Sequence, residues 1–304
     1  MNIVVGTFTP SVLIGVAART GRLSAVGLDV REVAVTSSPA QFRSLIAGEL
    51  DVALTSPDNV LGYRFDPANP IGRRADVRIV ATLDRGMGLG LYARPGLSPD
   101  EASPEWAFGV DVATSGFALA LFALAERRGI PRRGIRLSAL GATPNRLRAL
   151  LAGECDATML NAGNELIAEA AGCSRLGDVT EVASPYIGTV VCVAGEQRLD
   201  AARGLAAALH LATQDVLAGR VDDLAAGLAV ELLGLDDALS RGYVDRLKDP
   251  ARGLVPRPGV DLEGLASVVA LRRRYLPAQV DGRDVLEAAL EDASGLVVPQ
   301  TSGP

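Results

Sequence analysis

GELDVALTSPDNVL, residues 48–61, is the stretch on which the fold turns. Gly48 closes a helical segment, DVAL (51–54) is a short apolar strand, and TSPDN (55–59) is a polar turn. The pattern returns in GECDATMLNAGNEL, residues 153–166. With the chain shifted by 105 residues and no gaps, Arg43, Leu45, Ala47, Gly48, Glu49, Asp51 and Asn59 fall on Arg148, Leu150, Ala152, Gly153, Glu154, Asp156 and Asn164. In the same frame Val5, Thr9, Arg31, Ala34 and Pro39 meet Val110, Thr114, Arg136, Ala139 and Pro144. Repeats of 20–50 residues build solenoids, so a period of this length predicts two related lobes.

Each copy alternates short apolar runs with helical segments. The first reads as strand 2–6, helix 12–21, strand 28–35, helix 39–47 and strand 51–54. Ser38 is its expected second N-cap, with Pro39 in the first helical position. The second copy reads as strand 106–112, helix 117–128, strand 135–140, helix 144–152 and strand 156–160. Alternation of this kind makes parallel β-α-β units, hence an α/β chain of two lobes.

Ligands of open parallel sheets sit beyond the carboxyl ends of the strands, where loops feed helix N-termini. Those termini carry free N–H groups and partial positive charge, which suit anions. The turns TFTPS, TSSP, TSPDN, ATSG, GATPN and NAGN are all rich in small hydroxyl and amide side chains. One such turn merely caps a helix; together, on two facing lobes, they predict a cleft that takes a small polar or anionic organic molecule. Thr9, Ser38 and Ser56 are expected on one jaw, facing Thr114, Ser115 and Asn161 on the other. Phe8 and Asp58 flank the first group, while Asp84, Arg85 and Tyr186 lie near the joints between lobes and are the ionisable candidates.

Other chemistry finds less support. The chain has 304 residues, 48% hydrophobic and 22% charged, with net charge −6, which opposes a general nucleic-acid binder. Nowhere do 18 apolar residues run together, so no transmembrane helix is expected. Cys155, Cys173 and Cys192 show no metal-ligand spacing and read as buried apolar residues. GTFTPSVLIG has neither the glycine spacing nor the lysine of a phosphate loop. The sole histidine, His210, stands among Ala and Leu at helical spacing and reads as a packing residue. No cofactor or metal is called for, and no catalytic set emerges. The apolar run from Val12 lacks a preceding Lys or Arg, so the sequence as written predicts a cytoplasmic protein. A mature form that has lost a leader would instead be periplasmic or extracellular.

GLDVREVAVTSSPAQFRSLIAGELDVALTSPDNVL (27–61) resembles the solute-binding proteins of ABC transporters, in the group that handles nitrate, sulfonates, taurine and thiamine-pyrimidine precursors. AARTGRLSAVGLDV (17–30) is similar to that family's first helix and the strand after it. LGLDDALSRGYVDRLKDP (233–250) and LEGLASVVALRRRYL (262–276) resemble its C-terminal helices. The resemblance implies a type 2 periplasmic-binding-protein fold: two lobes, each a mainly parallel sheet with flanking helices, joined by two hinge crossings. Lobe one would comprise residues 1–84 and 189–304, lobe two residues 85–188. The crossings would lie in 78–94, with GMGLG (86–90) as a glycine hinge, and in 184–195. It also implies an ABC permease as partner. Relatives on this fold include cytoplasmic enzymes, so an enzyme of small-molecule metabolism using the same cleft is the alternative. A pyrimidine-synthase activity would need a cleft histidine and a Cys-rich iron segment, which His210 and the three cysteines do not supply.

Overall fold

A computed structural model describes residues 1–98, 103 and 105–299. The first half of the chain runs β1 (Asn2–Thr7), α1 (Val12–Arg19), α2 (Arg22–Ala25), β2 (Asp29–Ala34), α3 (Ser38–Ala47), β3 (Val52–Thr55), α4 (Pro57–Phe65), β4 (Val77–Asp84) and β5 (Gly90–Ala93). It continues with β6 (Ala107–Val110), α5 (Gly116–Arg127), β7 (Arg136–Ala139), α6 (Thr143–Leu151), β8 (Ala157–Leu160), α7 (Asn164–Ala170), β9 (Ser174–Asp178) and β10 (Thr189–Ala194). Four helices follow: α8 (Leu199–Leu217), α9 (Asp222–Leu233), α10 (Asp237–Lys248) and α11 (Leu262–Tyr275). Two two-residue strands, β11 (Gln279–Val280) and β12 (Arg283–Asp284), form a small hairpin after them.

The strands assemble into two five-stranded sheets, ordered β2-β1-β3-β10-β4 and β7-β6-β8-β5-β9. In each, the first three strands are parallel, the fourth (β10 or β5) is antiparallel to them, and the edge strand (β4 or β9) pairs antiparallel with the fourth. The fully buried β3 and β8, VALT and ATML, are the strands of the repeated motif. The chain passes between sheets after β4, through residues 85–89, and returns before β10, through residues 182–188.

The duplication is visible in individual hydrogen bonds. Asp51 Oδ2 accepts from the Val4 N–H at 2.7 Å, and Asp156 Oδ2 accepts from the Ala107 N–H at 2.8 Å. Gln41 Nε2 donates to the Leu54 carbonyl at 3.1 Å, and Arg146 Nη2 donates to the Met159 carbonyl at 3.2 Å. Those four residues are pairwise 105 apart. The ungapped frame fails only in the first strand. Arg31 sits beside Val4 and Arg136 beside Ala107, so strand one is related by 103 residues, not 105. Val5 therefore corresponds to Phe108 rather than Val110, because the segment between the first and second strands is longer by two residues in the second copy.

Helix boundaries follow local chemistry. Ser11 Oγ accepts from the Ile14 N–H, and Ser115 Oγ from the Ala118 N–H, each capping its helix. The cap of α3 is Ser37, whose Oγ accepts from the Ala40 N–H; Ser38, the expected cap, is the first helical residue. Arg22–Ala25 is a separate short turn because Gly21, at φ 73°, breaks the segment expected to run through 21.

The C-terminal helices do more than cover lobe one. Helices α8 and α9 pack on α1, and α8 lies against β4 and β10. Helix α10 reaches lobe two through Arg246 Nε, 3.6 Å from Glu165 Oε1 on α7. Helix α11 lies against α4 of lobe one and α5 of lobe two. Its Tyr275 hydroxyl donates to Glu126 Oε2 at 2.6 Å, and Arg132 donates to the Tyr275 carbonyl. No helix among the described residues is long and apolar enough to cross a membrane.

Candidate functional site

Between the sheets lies a cleft of about 140 Å³, walled by the turns that follow β1, β3, β6 and β8. On the scale of about 10–15 Å³ for each water-sized group, it admits a molecule of roughly ten non-hydrogen atoms. Phe8, Thr9, Ser56 and Asp84 of the expected residues line it from lobe one, and Ser115 and Asn161 from lobe two. The remaining four lie elsewhere. Ser38, Asp58 and Thr114 surround a second hollow of about 400 Å³ behind the first, beside Arg272. Tyr186 is fully buried at the hinge, with no hydrogen-bond partner for its hydroxyl. Alternation along a strand or turn sends neighbouring side chains to opposite sides, which is why Thr114 and Ser115 part company.

The jaws touch along one seam. A β-carbon placed on Gly116 at the start of α5 would stand 2.7 Å from Asp58 Cβ and 3.0 Å from Ser56 Oγ. One placed on Gly141 would stand 3.1 Å from the Thr36 carbonyl oxygen. Glycine at both places lets the lobes meet closely, backbone to side chain at Gly116 and backbone to backbone at Gly141.

Asp84 organises the hinge. Its Oδ1 accepts from the Gly86 N–H at 2.7 Å, and the Thr189 hydroxyl and N–H face the same carboxylate. One side chain thus binds both crossings. Burial pushes its pKa up to about 6, against the opposing pull of those hydrogen bonds. Arg85 meets Asp261 at 2.8 Å, just before α11. Gly86, Met87 and Gly88 all have positive φ, at 100°, 52° and 77°. The expected glycine hinge is therefore a left-handed turn, and a side chain on Gly88 would collide with Arg246 and Glu165.

Several cleft residues escaped the sequence reading. Asp111, just after β6, is 8% exposed and its Oδ1 has no hydrogen-bond partner. Arg146, 2% exposed, donates to the carbonyls of Met159 and Gly141 and to Thr143 Oγ1. Burial lowers its pKa to about 10, although Asp111 nearby favours the charged form. Tyr243 of α10 closes the cleft from the C-terminal side. Glu32 stands behind the first turn, where its Oε1 accepts from Thr7 Oγ1 at 2.6 Å and from the Ser11 N–H at 2.8 Å. Asp111 was within reach as the polar residue ending strand β6. Arg146 and Tyr243 sit inside helical patterns, where nothing local marks them.

His210, on α8, borders a separate hollow on the outer side of lobe one, with its pKa lowered by burial. The three cysteines are buried free thiols. Among the described residues no group of three or more His, Cys, Asp or Glu side chains is placed to hold a metal ion.

No protein-family model matches the chain, and no curated protein matches it. Solved structures do. The nitrate-binding protein NrtA of Synechocystis PCC 6803 superposes with a TM-score of 0.74 at 12% identity, over 96% of this chain and 85% of that one. A Candida albicans protein described as founding a new family with the generic periplasmic binding protein fold gives 0.72 at 14%, over 100% and 99%. The alkanesulfonate-binding protein SsuA of Xanthomonas axonopodis pv. citri, bound to MOPS, gives 0.66 at 14%, over 98% and 94%. The architecture is thus that of the two-lobed periplasmic binding proteins. Identities this low carry the fold and leave the ligand to be argued from the cleft itself.

Proposed function

We propose that the protein captures a small organic molecule between its lobes, as the solute-binding component of an uptake system with an ABC permease as partner. The observation carrying this reading is the cleft, whose walls are strand-to-helix turns of both lobes. Phe8, Thr9 and Ser56 face it from one side, Ser115, Arg146 and Asn161 from the other. A molecule held there touches both jaws, so binding and closure are one event. The positive-φ turn at 86–88 and the ABC import proteins among the structural neighbours support the same reading.

The test is retention. The purified protein is incubated with a small-molecule extract, desalted and weighed by native mass spectrometry. A single added mass is expected, recovered unchanged on denaturation, and absent from Ala142→Trp, which fills the cleft while folding is checked by circular dichroism. Retention undiminished in that variant would place binding elsewhere. Recovery of a chemically altered molecule would make the protein an enzyme.

A further inference from the structure

At three of the helices around the cleft the N-terminal donors are filled or removed by the chain itself. In lobe one, the place where a helix N-terminus would receive an anion is already occupied by the chain's own Glu32, which takes the Ser11 N–H and the Thr7 hydroxyl. Pro57 and Pro144 stand in the first turns of α4 and α6, where neither offers an N–H. The hydroxyls of Ser56 and Ser115 accept from their own helices and keep only their O–H for a guest. Arg146, the one cationic side chain lining the cleft among the described residues, directs its guanidinium at three oxygens of its own lobe.

One acceptor, by contrast, is unmatched. Asp84 and Asp111 both line the cleft; Gly86 and Thr189 donate to the first and Ser38 to the second, yet Asp111 Oδ1 is buried without a hydrogen-bond partner. An unmatched buried oxygen costs desolvation unless a bound molecule supplies the missing hydrogen. Burial raises the pKa of Asp111, Asp84 and Glu32 alike, and a cation held beside them would favour their charged forms. The rest of the lining is apolar, from Phe8 and Phe117 to Leu13, Leu54 and Leu83.

Building on the capture reading above, we propose that the cleft selects an organic cation: a protonated amine seated at Asp111, carried on a compact apolar body that lies among the phenyl and leucine side chains. This reverses the anionic preference expected from the turns alone. The turns do present helix N-termini, but Glu32, Pro57 and Pro144 fill or remove donors at α1, α4 and α6.

Three probes that share a ring and a two-carbon arm separate the possibilities by calorimetry near neutral pH: phenethylamine, phenethyl alcohol and phenylacetate. The amine is expected to bind at least about tenfold more tightly than the alcohol, in line with a charge-assisted hydrogen bond. Phenylacetate is expected not to bind measurably. Asp111→Asn should weaken the amine by about tenfold and leave the alcohol within about twofold, since the amide keeps the shape and loses the charge. Phenylacetate binding as tightly as the amine, amine affinity unchanged in Asp111→Asn, or no binding by any of the three would each overturn the cation assignment. The capture reading is judged separately, by retention from the extract: a retained anion would sink this inference and leave capture standing.

Discussion

Arg272 Nη1 lies 2.9 Å from Asp58 Oδ2, and the two side chains are 4% and 1% exposed. This ion pair fastens the last turn of α11 to the first turn of α4 in lobe one, while Arg274 and Tyr275 of the same turn hold Glu126 of lobe two. Gly62 makes room for it: a β-carbon there would stand 2.9 Å from Arg272 Nη2. Asp58 Oδ1 and Arg272 Nε remain without partners, so the pair is buried and incompletely satisfied.

Removing one member of such a pair strands a charge. Arg272→Met should therefore cost about 3–5 kcal/mol, whereas Arg272→Met combined with Asp58→Leu should recover most of that loss. Urea unfolding of the two single variants and the double variant measures the difference. A single variant that loses less than about 1 kcal/mol would show that the pair is not held in solution.

Asp84 predicts a pH dependence with a definite sign. Its folded-state pKa is about 6, above the ordinary 3.8, because burial penalises the charged form. As pH rises from the lower value to the higher, the unfolded chain gives up a proton that the folded chain keeps. The folded state binds more protons in that window, so stability falls with rising pH, by about 3 kcal/mol in total for a displacement of about two pH units. Asp84→Asn should lack this component. The check is the difference in unfolding free energy between wild type and variant, followed from ~pH 4 to ~pH 7. Parallel curves would contradict the expectation.

Two glycines should respond in opposite directions. A β-carbon at Gly188 would stand 2.4 Å from both Asp84 Oδ1 and Gly86 Cα, and backbone cannot yield there. Gly188→Ala should destabilise by about 2–3 kcal/mol. Gly227, inside α9, has nothing within 4 Å of the same atom, so Gly227→Ala should stabilise by about 0.5–1 kcal/mol. Thermal unfolding of both variants decides.

Gly116 is the contact between jaws. Gly116→Phe would drive a ring between α5 and the Ser56–Asp58 turn and hold the lobes apart. The radius of gyration from small-angle scattering should rise, with secondary structure unchanged. An unaltered radius would mean that the hinge at 86–88 does not permit the lobes to separate.

Much of this fold was legible because it rests on local patterns. Apolar runs bounded by glycine and serine mark β1, β3, β6 and β8, and the repeat relates the lobes before any contact is known. What escaped was non-local. The slip of two residues in the first strand shows only when Arg31 and Arg136 are seen beside Val4 and Ala107. The bridging role of α11 depends on Asp58 and Glu126, far away in sequence. In the cleft, turns expected to form its walls do line it, but the partners that their donors find within the chain were not readable. Glu32 reaches Ser11 from 21 positions away, and Arg146 looks like any arginine on an amphipathic helix.

The two jaws descend from one plan yet no longer mirror each other. Register makes Phe8 the counterpart of Asp111, and the shared hydrogen bond to strand three makes Gln41 the counterpart of Arg146. A clamp with identical halves would grip a guest equally well in either orientation. Here one wall offers a benzyl surface where the other offers a carboxylate, and the amide of Gln41 stays buried behind its wall where Arg146 reaches the cleft. The guest must enter with a head and a tail already distinguished, and turning it end for end would set charge against hydrocarbon. Divergence after duplication has thus given the cleft a direction.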